Sequence, residues 1–409
     1  MLREAIEIKA LMVSPTSPWP ANMGSRIRIY HALKVLSSSC DVTFVALVEE
    51  ADRSEIEVAR PFCSELHIVE KRLASRPFVA IRSLFSRYPY RVVKFHNKNL
   101  RNLLGQLLAS DSYDIVWVHF LNMFSHLPSA LPQRLLTVLD QHNADELMWV
   151  PYRRRGSLWN RTFARQNIWK LRGFQRKVLK RVDVVLSVSG AEAEFMRERS
   201  PVSCDVWTVP NGVDVEFFQP GHEAKRPGHR IVFCGSMDVT MNADAALRFA
   251  NGIFPLVRRR CPSAEFWVVG RRPGGAVKQL AERDGIVVTG TVEDVRPYYE
   301  QARVLVAPFR YGAGTKLKIM EAMAMGVPVV STDVGCHGID VAHGRHLLIE
   351  NEDEGFARAV GELIEDDDLW QRLSLAGREL VLRDYSWENI MGSAVKGMEK
   401  LVQERRGKE

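Results

Sequence analysis

The sequence predicts an α/β protein of two doubly wound, Rossmann-like domains that face a cleft. Short apolar runs rich in β-branched residues alternate along the chain with stretches of helical pattern, which is typical of βαβ units and parallel sheets. Several runs, such as IVWV, FWVV and VPVV, are apolar at consecutive positions, as strands covered on both faces are. A chain of 409 residues normally forms two domains, each with its own core.

Six strands are predicted in each half of the chain. In the first half they cover residues 10–14, 41–46, 65–69, 115–119, 135–139 and 182–188. In the second half they cover residues 230–234, 265–269, 286–289, 304–307, 327–331 and 346–349. Doubly wound sheets bind ligands outside the carboxyl ends of their strands, so candidate site residues are expected where these runs end.

A turn separates the two sets of strands. Residues 209–214, VPNGVD, combine proline, asparagine and glycine, which favours a hinge. We therefore place one domain at residues 1–208 and a second at residues 209–385. The tail, residues 386–409, begins with a serine cap at Ser386 and carries apolar residues at helical spacing, so it is predicted to be a helix.

The composition is that of an ordinary globular protein, with 46% hydrophobic and 26% charged residues. No run of eighteen apolar residues predicts a spanning helix, and the first residues lack the apolar centre of a signal peptide. The six cysteines are scattered without a CxxC pair, which argues against a disulfide framework and a zinc site. A reducing cytoplasm is the expected compartment.

Positive charge is concentrated in the first half of the chain. Residues 1–200 hold 30 Lys and Arg against 19 Asp and Glu, whereas residues 201–409 hold the other 26 against 30. The stretch from Arg153 to Arg181 has eleven basic residues and no acidic one, and a second basic and aromatic stretch covers residues 71–98. The aromatic residues of the first stretch are Trp159, Phe163, Trp169 and Phe174.

Such a stretch suits the anionic surface of a membrane, or less often a nucleic acid. Long basic side chains that merely solvate a helix face give the same pattern. We favour the membrane surface, peripheral at the inner face, and expect no nucleic-acid partner.

The most informative segment is GAGTKLKIMEAMAMGVPVVST, which begins at Gly312. Gly312 and Gly314 let the backbone approach a ligand closely because they have no Cβ. Thr315 is expected to cap the following helix, whose N–H groups and positive dipole end attract an anion. Lys318 and Glu321 share one helix face, so a cation and a carboxylate suit a nucleotide diphosphate. A plain capped helix in an α/β core explains the same spacing.

Together with other motifs, this segment resembles the C-terminal half of a family-4 glycosyltransferase. The supporting motifs are FCGSMDVTMNADA (233–245), VVGRRP (268–273) and VVTGTVEDVRPYY (287–299). In the first half, LMVSPTSPWP, DIVWVHF, VDVVLSVSG and VPNGVD fall in the family's order. The resemblance implies the GT-B architecture, in which the last helix crosses back to the N-terminal domain. It also implies retaining transfer of a sugar from a nucleotide donor.

The resemblance assigns roles to individual residues of the C-terminal, donor-binding domain. Gly235 and Ser236 end its first strand, where the backbone can approach a phosphate. Val292 matches the position whose backbone contacts the nucleobase, and Glu321 matches the carboxylate that holds the ribose. For Glu321 the alternative is an ion pair on the helix face with Lys318.

The N-terminal domain is implied to bind the acceptor. His119 matches a histidine near the transferred sugar, and the resemblance implies that it hydrogen-bonds to this sugar or stabilises developing charge. A histidine that ends a strand is, however, often a core-edge residue. Gly24 matches a loop glycine whose N–H approaches the donor phosphate or the acceptor, with Arg26 and Arg28 adding positive charge nearby. Side chains of LDQHNAD, namely Asp140, His142 and Asn143, follow another strand and are candidates to line the acceptor site.

The sequence also departs from the family pattern. The first of two glutamates would fall on Ala313, and two cations would fall near Ser236 and near Met241 or Asn242. We infer that Lys316 and Lys318 neutralise the diphosphate leaving group instead, each amine acting as a point charge. A further candidate is Arg271, which follows the strand FWVVG.

No metal and no cofactor besides the nucleotide sugar are expected. The acidic run from Glu365 to Asp368 contains an Asp-x-Asp pattern, but acids at a helix start favour the dipole there. The predicted activity is metal-independent glycosyl transfer to a carbohydrate or lipid-linked acceptor, in polysaccharide, lipid-linked oligosaccharide or glycolipid synthesis. The alternatives are a nucleotide-sugar 2-epimerase of the same fold and a non-catalytic carbohydrate-binding protein.

Overall fold

The computed structural model describes residues 8–21, 23–71, 75–110, 112–142, 145, 146, 149, 157–221, 228–312 and 314–407. The chain divides into two compact units. Unit 1 comprises Met1–Pro210 with Met391–Glu409, and unit 2 comprises Asn211–Ile390. Each unit is built on one parallel sheet, which confirms the prediction of two Rossmann-like domains.

Unit 1 contains a seven-stranded sheet in the order β3-β2-β1-β4-β5-β6-β7, with all neighbours parallel. Its strands are β1 Ile8–Ser14, β2 Cys40–Val48, β3 Glu65–Glu70, β4 Ile115–His119, β5 Leu136–Gln141, β6 Val184–Ser187 and β7 Asp205–Thr208. Its helices are α1 Gly24–Leu36, α2 Arg76–Phe85, α3 Tyr90–Phe95, α4 Lys98–Ser110, α5 Leu158–Leu179 and α6 Gly190–Arg197. Short 3-10 turns cover Glu50–Asp52, Glu55–Phe62 and Leu121–His126.

Unit 2 contains a six-stranded parallel sheet in the order β10-β9-β8-β11-β12-β13. Its strands are β8 Arg230–Cys234, β9 Glu265–Val269, β10 Ile286–Gly290, β11 Val304–Ala307, β12 Val329–Ser331 and β13 Leu348–Ile349. Its helices are α7 Thr240–Arg248, α8 Phe254–Arg260, α9 Gly275–Lys278, α10 Arg296–Glu300, α11 Leu317–Ala324, α12 Asp333–Cys336, α13 Asp353–Glu365 and α14 Asp367–Asp384. A π-helical turn, Phe249–Ile253, and a 3-10 turn, Gln279–Glu282, complete it.

The strand orders of the two sheets place the first strand of each unit at the centre. Counted within unit 2, the order is 3-2-1-4-5-6, the arrangement of dinucleotide-binding folds. In that arrangement the strand order changes direction between the first strand and the fourth. Ligands bind at this switch point, outside the carboxyl ends of the strands. The ends of β1 and β4 in unit 1, and of β8 and β11 in unit 2, are therefore the positions to search for a site.

All twelve predicted strands are present, and the sequence missed one. The missed strand is β7 at the sheet edge, where DVWT is partly exposed and too short to read as a buried apolar run. Strand β12 begins at Val329 rather than at Val327, because the Val327 N–H donates to Ala322 O at the end of α11. Strand β13 covers only Leu348–Ile349 of the four residues predicted.

The last helix, α15, covers Trp387–Arg406. It begins within unit 2, and from Met391 onward its residues group with unit 1. There Gly397 lies against the ring of Trp207, and Arg405 pairs with Asp183. Within the described part of the chain, no helix is long and apolar enough to cross a membrane.

Candidate functional site

Two glycines bring neighbouring strand ends of unit 2 into close contact. Gly235 follows β8 with φ +157, and Gly270 follows β9 with φ +148. A Cβ on Gly270 would lie 1.7 Å from the carbonyl oxygen of Gly235, so no other residue fits there. The Gly235 N–H donates to Val269 O at 2.9 Å. The missing side chain of Gly235 also leaves room for Lys318 and Asn242, which a Cβ there would approach to 2.7 and 3.1 Å.

Helix α11 starts later than its sequence predicts, and Thr315 is not its cap. The N-cap is Lys316, with extended backbone, and the helix begins at Leu317. Gly314 has φ +76, a left-handed conformation that keeps the preceding turn out of the helix. The Thr315 hydroxyl has no hydrogen-bond partner among the described residues and lies beside Gly338. The predicted capping role of Thr315 is therefore wrong.

Lys318 lies under the backbone that follows β8. Its Nζ donates to Asn242 Oδ1 at 2.8 Å, and a Cβ on Gly235 would lie 2.7 Å from it. The rings of Phe233 and Phe309 lie 4.2 and 4.9 Å from the amine. Burial lowers the pKa of Lys318 to about 7. The charge of the buried Glu321 carboxylate opposes this lowering in part, but the hydrogen bond of the amine goes to Asn242.

Lys316 is the second buried lysine of this helix. It is only 5% exposed, and its Nζ donates to Gly314 O at 2.7 Å. Burial lowers the pKa of Lys316 as well. The two amines lie against the glycine turns that precede α7 and α11, so both predicted lysines are at the strand ends.

Glu321 points to a different partner from the one its spacing suggests. Its carboxylate accepts a hydrogen bond from the Tyr299 hydroxyl at 2.9 Å, while Lys318 donates to Asn242. Burial raises the pKa of Glu321 and raises that of Tyr299 well above its usual value. The ion pair with Lys318, the alternative for this residue, is not what holds the carboxylate.

Three further predicted residues, Ser236, Arg271 and Val292, each follow the carboxyl end of a strand of the unit 2 sheet. Arg271 Nε donates to Ser236 Oγ at 2.8 Å, and Ser236 Oγ donates to Asp238 at 2.6 Å. Arg271 is therefore brought to the Gly235 turn, as a candidate phosphate ligand should be. Val292 is half-buried in the loop after β10, two strands away from β8. The structure of Ala313 is outside the described residues.

In unit 1, His119, Asp140 and His142 form one cluster at the ends of β4 and β5. His119 pairs in register with Asp140, and all three side chains are buried. His119 Nδ1 lies 2.9 Å from His142 Nε2 and 3.2 Å from Asp140 Oδ2. The Trp117 ring stacks on His119 at 5.9 Å. Asn143, the third acceptor-site candidate, is outside the described residues.

Arg28 is part of this cluster, and the carboxylate of Asp140 balances its charge. Its Nε donates to both oxygens of Asp140, at 2.8 and 3.1 Å, and its Nη1 donates to Val209 O. Burial opposes ionisation of Asp140, but Arg28 and His142 keep its pKa well below the usual range. Arg26 pairs with Asp52 at 2.5 Å. Both arginines are neutralised by carboxylates, so their predicted role as added positive charge is wrong.

Sequence reasoning missed Phe120, the residue that follows β4. It adopts φ 69, an uncommon conformation for a residue with a large side chain, and its ring stacks on His142 at 4.1 Å. Strained backbone of this kind clusters at functional sites. Gly24 is the first residue of α1 and is exposed, and the Met23 N-cap offers no side-chain acceptor.

Two family models match the chain. The model described as Glycosyltransferase Family 4 matches residues 27–217, and that described as Glycosyl transferases group 1 matches residues 228–366. The chain belongs to the family-4 glycosyltransferases.

Related sequences agree with this assignment. A 44.6 kDa uncharacterized protein of the cps region of Klebsiella pneumoniae is 22% identical over 95% of this chain and 99% of its own length. A GDP-mannose-dependent α-(1-6)-phosphatidylinositol monomannoside mannosyltransferase of Mycobacterium tuberculosis is 28% identical. That match covers 54% of this chain and 64% of the mannosyltransferase, so the chain spans under two thirds of that relative's length.

Solved structures show the same fold over nearly the whole glycosyltransferase. Sucrose-phosphate synthase of Thermosynechococcus elongatus superposes with a TM-score of 0.67 at 15% identity, covering 96% of this chain and 99% of the synthase. HepE of Anabaena in complex with UDP superposes with a TM-score of 0.66 at 12% identity, covering 96% and 100%.

The acidic run of this glycosyltransferase is occupied by contacts of the fold itself. Asp366 caps α14 by accepting from the Leu369 N–H at 2.9 Å. Asp367 pairs with Arg303 at 2.8 Å, and Glu365 pairs with Arg260 at 2.5 Å. Three of the four acids of this run, Glu365, Asp366 and Asp367, thus have contacts within the fold.

The basic stretch of the glycosyltransferase forms most of helix α5, and the helix is two-sided. Its buried face includes Phe174 and Lys170, so these two residues do not belong to the predicted basic and aromatic surface. Arg172 pairs with Glu146. The exposed face keeps six side chains that fit the prediction, namely Trp159, Arg161, Arg165, Trp169, Arg176 and Lys177. Residues 153–155 are outside the described part of the chain.

Proposed function

We propose that this glycosyltransferase transfers a hexose from a nucleotide diphosphate donor to an acceptor hydroxyl, with retention and without a metal ion. The observation that carries the proposal is the buried amine of Lys318, whose one hydrogen-bond acceptor is the neutral amide of Asn242. A buried cation is costly unless an anion compensates it. A diphosphate above the Gly235 turn supplies that anion.

In the proposed reaction the bond between the anomeric carbon and the diphosphate oxygen breaks, and its electron pair leaves with the diphosphate. The acceptor oxygen forms the new bond to the anomeric carbon and loses its proton. Charge grows on the leaving diphosphate, so amines placed there in advance stabilise the transition state. Lys316 and Lys318 are the residues of unit 2 that fit this role. Retention, with attack from the face that the leaving group vacates, follows the family resemblance.

The position of Lys318 supports its replacement of a missing family cation. The family pattern puts one cation near Met241 or Asn242, and the Lys318 amine is bonded to the Asn242 side chain itself. A cation is thus present beside this part of the chain but is supplied by helix α11. Arg271, bonded to Ser236, stands in the same way beside the other vacant position.

The first donors to test are GDP-mannose and UDP-glucose. Relatives of this chain carry the names of mannosyltransferases, including the lipopolysaccharide core biosynthesis mannosyltransferase LpsB of Rhizobium meliloti. The solved HepE of Anabaena is in complex with UDP-glucose. These names also favour an acceptor in glycolipid or polysaccharide synthesis, either a carbohydrate or a lipid-linked sugar.

A thermal-shift panel of nucleotide diphosphate sugars tests donor binding first. A ligand at a hundred times its dissociation constant stabilises a protein by about 2.7 kcal/mol, so the cognate donor should stand out. Transfer is then measured as release of nucleoside diphosphate that depends on added acceptor. Isomerised donor sugar without acceptor would indicate the 2-epimerase instead. Binding with no release in any acceptor mixture would indicate a non-catalytic protein.

We further propose that unit 1 binds an anionic membrane surface in the cytoplasm. Helices α2 and α5 are joined where Lys170 Nζ donates to Ser83 O and Leu84 O, at 2.7 and 2.9 Å. Both helices leave large apolar side chains exposed, and we call these side chains the α2–α5 surface: Phe78, Ile81, Phe85, Leu158, Trp159 and Trp169. Exposed cations accompany them on both helices, including Arg82 and Arg165. Apolar side chains among cations fit an interface with anionic lipid.

Vesicle co-sedimentation tests this surface. We expect binding to phosphatidylglycerol vesicles, little binding to phosphatidylcholine, and weakening by salt, since the Debye length falls from roughly 10 Å at 0.1 M to 3 Å at 1 M. Replacing Arg153, Arg154 and Arg155 by Glu should abolish binding, and Trp169→Ser should remove the salt-resistant part. The matched control is Leu375→Ser, an exposed apolar side chain of unit 2. Equal indifference to both lipids would leave the α2–α5 surface an ordinary solvated face.

A further inference from the structure

The cluster of His119, Asp140 and His142 has the geometry of either a metal site or an ordered hydrogen-bond network. One ligand atom from each residue lies within 4.8 Å of the other two. The charges decide between these two interpretations. Arg28 donates to both oxygens of Asp140, so the charges of this pair already sum to zero. A divalent ion would add two charges that no described neighbour balances, and burial makes such an excess costly.

The same contacts fix where the proton of His119 sits. Asp140 is ionised and can only accept a hydrogen bond, and its Oδ2 lies 3.2 Å from His119 Nδ1. A lone pair on Nδ1 would face this carboxylate and repel it, whereas a proton on Nδ1 is attracted. His142 Nε2 lies 2.9 Å from the same nitrogen but 3.7 Å from Asp140 Oδ2, so of the two nitrogens His119 Nδ1 is nearer to the carboxylate and is the donor, and His142 Nε2 accepts from it. In a neutral imidazole with Nδ1 protonated, Nε2 is an acceptor.

Two ring nitrogens of the cluster lack a partner among the described residues. They are His119 Nε2 and His142 Nδ1, and both are buried. Leaving a buried polar atom unsatisfied is unfavourable, so such atoms call for an explanation. A hydroxyl group donates and accepts, and it matches an acceptor nitrogen without bringing a charge into a cluster that is already neutral.

We propose that Asp140, held by Arg28, is a positioning residue that keeps the His119 proton on Nδ1, so that Nε2 accepts a hydrogen bond from a sugar hydroxyl. The proposal rests on the proposed glycosyl transfer and adds to it the polarity of this contact. The His119 nitrogen receives the hydroxyl proton and does not donate one. The substrate group it selects is therefore a hydroxyl, which an ether or fluorine at the same carbon cannot replace.

The surroundings keep this arrangement rigid. Arg28 is anchored by the carbonyl oxygens of Val209 and Pro210, at 2.9 and 3.2 Å. Phe120 covers His142 at 4.1 Å, and its N–H donates to Asp140 O at 2.9 Å. A side chain whose rotamer and tautomer are fixed by such neighbours positions a substrate more accurately than a free one.

The direct test is the tautomer itself. Nitrogen chemical shifts of isotope-labelled histidine distinguish a protonated from an unprotonated ring nitrogen, and the difference between wild type and His119→Gln assigns the His119 signals. We expect Nδ1 to be protonated and Nε2 to be unprotonated at neutral pH. A protonated Nε2 with an unprotonated Nδ1 would overturn the proposal. This measurement needs no substrate, so it stands even if the protein transfers no sugar.

The kinetic test replaces the carboxylate by an amide. In Asp140→Asn the amide can present its NH2 group to Nδ1, which shifts the His119 proton to Nε2 and turns the acceptor into a donor. We expect kcat/KM to fall at least about tenfold while the affinity for the free nucleoside diphosphate stays within twofold. Asp140→Glu, which keeps the charge, should recover part of the activity. Wild-type kcat/KM in a folded Asp140→Asn protein would overturn the proposal.

The matched control is His126, another buried histidine of unit 1. Both of its ring nitrogens already have partners, since Nε2 accepts from the Asn97 N–H and Nδ1 lies 3.1 Å from Met123 O. His126→Gln should therefore leave the kinetics unchanged even where it lowers the melting temperature. An equal loss of activity in both variants would indicate general damage and refute a specific role for Asp140.

Deoxyfluoro donors identify the source of the hydroxyl, because fluorine cannot donate a hydrogen bond. A loss of rate with one such donor that disappears in Asp140→Asn assigns the hydroxyl to the donor sugar and supports the proposal. Full rate with every deoxyfluoro donor, together with an Asp140→Asn defect, assigns the hydroxyl to the acceptor. If wild type turns over no donor at all, the proposed function fails, and the nitrogen shifts alone then decide whether Asp140 orders His119.

Discussion

The clusters at the strand ends of the two units differ in how their charges are balanced. In unit 1 the Arg28 guanidinium pairs with the Asp140 carboxylate, so these two charges balance, and the rings of His119 and His142 complete the network. In unit 2 the buried Lys318 amine meets only an amide, and no described carboxylate pairs with it. The first cluster suits a neutral, hydroxyl-bearing ligand, and the second suits an anion. Under the proposed function, the balance of buried charge is what distinguishes the ligand class of the two clusters.

Lys318 also shows what such a cluster costs. A buried ammonium that no carboxylate contacts directly destabilises the free protein, and its pKa, lowered by burial, expresses the same effect. The Arg28–Asp140 pair avoids this cost because each charge compensates the other. We interpret the difference as a consequence of donor binding. The diphosphate that unit 2 is proposed to bind supplies the anion that compensates the charge of Lys318. Each of the following experiments alters one side of this comparison.

The largest effect is expected when the charge of Lys318 is removed from unit 2. Lys318→Met keeps the length of the side chain and removes the charge, which should cost about 1.5–3 kcal/mol of charge-assisted contact to the diphosphate. Catalytic efficiency should fall between about tenfold and a hundredfold. Steady-state kinetics with the cognate donor measures this, with circular dichroism to show that the fold is kept.

Lys170 provides the matched control for that substitution. It is also a buried lysine, but its amine holds the end of α2 through two carbonyl oxygens of unit 1. Lys170→Met should lower stability and leave donor kinetics unchanged. Activity within twofold of wild type in Lys318→Met would show that the buried cation does not serve the donor.

The second expectation concerns pH, because Lys318 must be charged to attract the diphosphate. With a pKa of about 7, the charged fraction falls about tenfold for each pH unit above 7, and kcat/KM, which reports the free enzyme, should fall with it. A bound diphosphate favours the charged form, so kcat should decline only at higher pH. Lys318→Met should lack this decline. A flat wild-type profile between pH 6 and 9 would contradict this assignment.

The same group links pH to stability, with the opposite sign. The unfolded chain holds the Lys318 proton up to its ordinary pKa of 10.5, whereas the folded protein releases it near 7. Between these values the unfolded state binds more protons, so the free energy of unfolding should rise with pH. The rise should be absent from Lys318→Met, as denaturant unfolding at several pH values would show.

A smaller effect is expected at Glu321, the carboxylate that the resemblance assigns to the ribose. Glu321→Ala should weaken the affinity for free nucleoside diphosphate about tenfold, because the contact with the ribose does not require the transferred hexose. Tyr299→Phe removes only the hydroxyl that orients this carboxylate, so its effect should be smaller. Isothermal titration measures both. Unchanged affinity in Glu321→Ala would leave the carboxylate with a purely structural role.

The sequence predicted the fold well because many buried parallel strands are continuously apolar, as IVWV in β4 and VLVA in β11 are. Edge strand β7 is not, since partly exposed residues lack that pattern. Lys316, Lys318 and Arg271 were located from the motif alone, because a glycine turn at a strand end fixes where the chain passes. Their hydrogen-bond partners were not predictable from the sequence.

What the sequence could not give is contact between residues far apart along the chain. The Arg28–Asp140 pair joins residues 112 positions apart, so Arg28 was read as a charge near the ligand. The spacing of residues predicts a cap at Thr315, but spacing does not reveal the left-handed conformation of Gly314, which makes the helix begin later. Phe120 carries no motif at all, and its positive φ appears only in the structure.

The smallest effect is expected from removing metals, and it tests both sides of the comparison together. If the lysines of unit 2 stabilise the leaving group, EDTA should leave transfer unchanged, and so should Asp366→Asn with Asp368→Asn, since asparagine still caps α14. Loss of activity with EDTA, restored by manganese, would overturn the metal-free mechanism. If the double variant kept its activity in that case, the metal would be assigned to the other acid-containing cluster, that of His119, Asp140 and His142. A metal there would displace the proton that is proposed to lie between His119 and Asp140. The EDTA assay therefore distinguishes a hydrogen-bonded cluster in unit 1 from a metal-binding one.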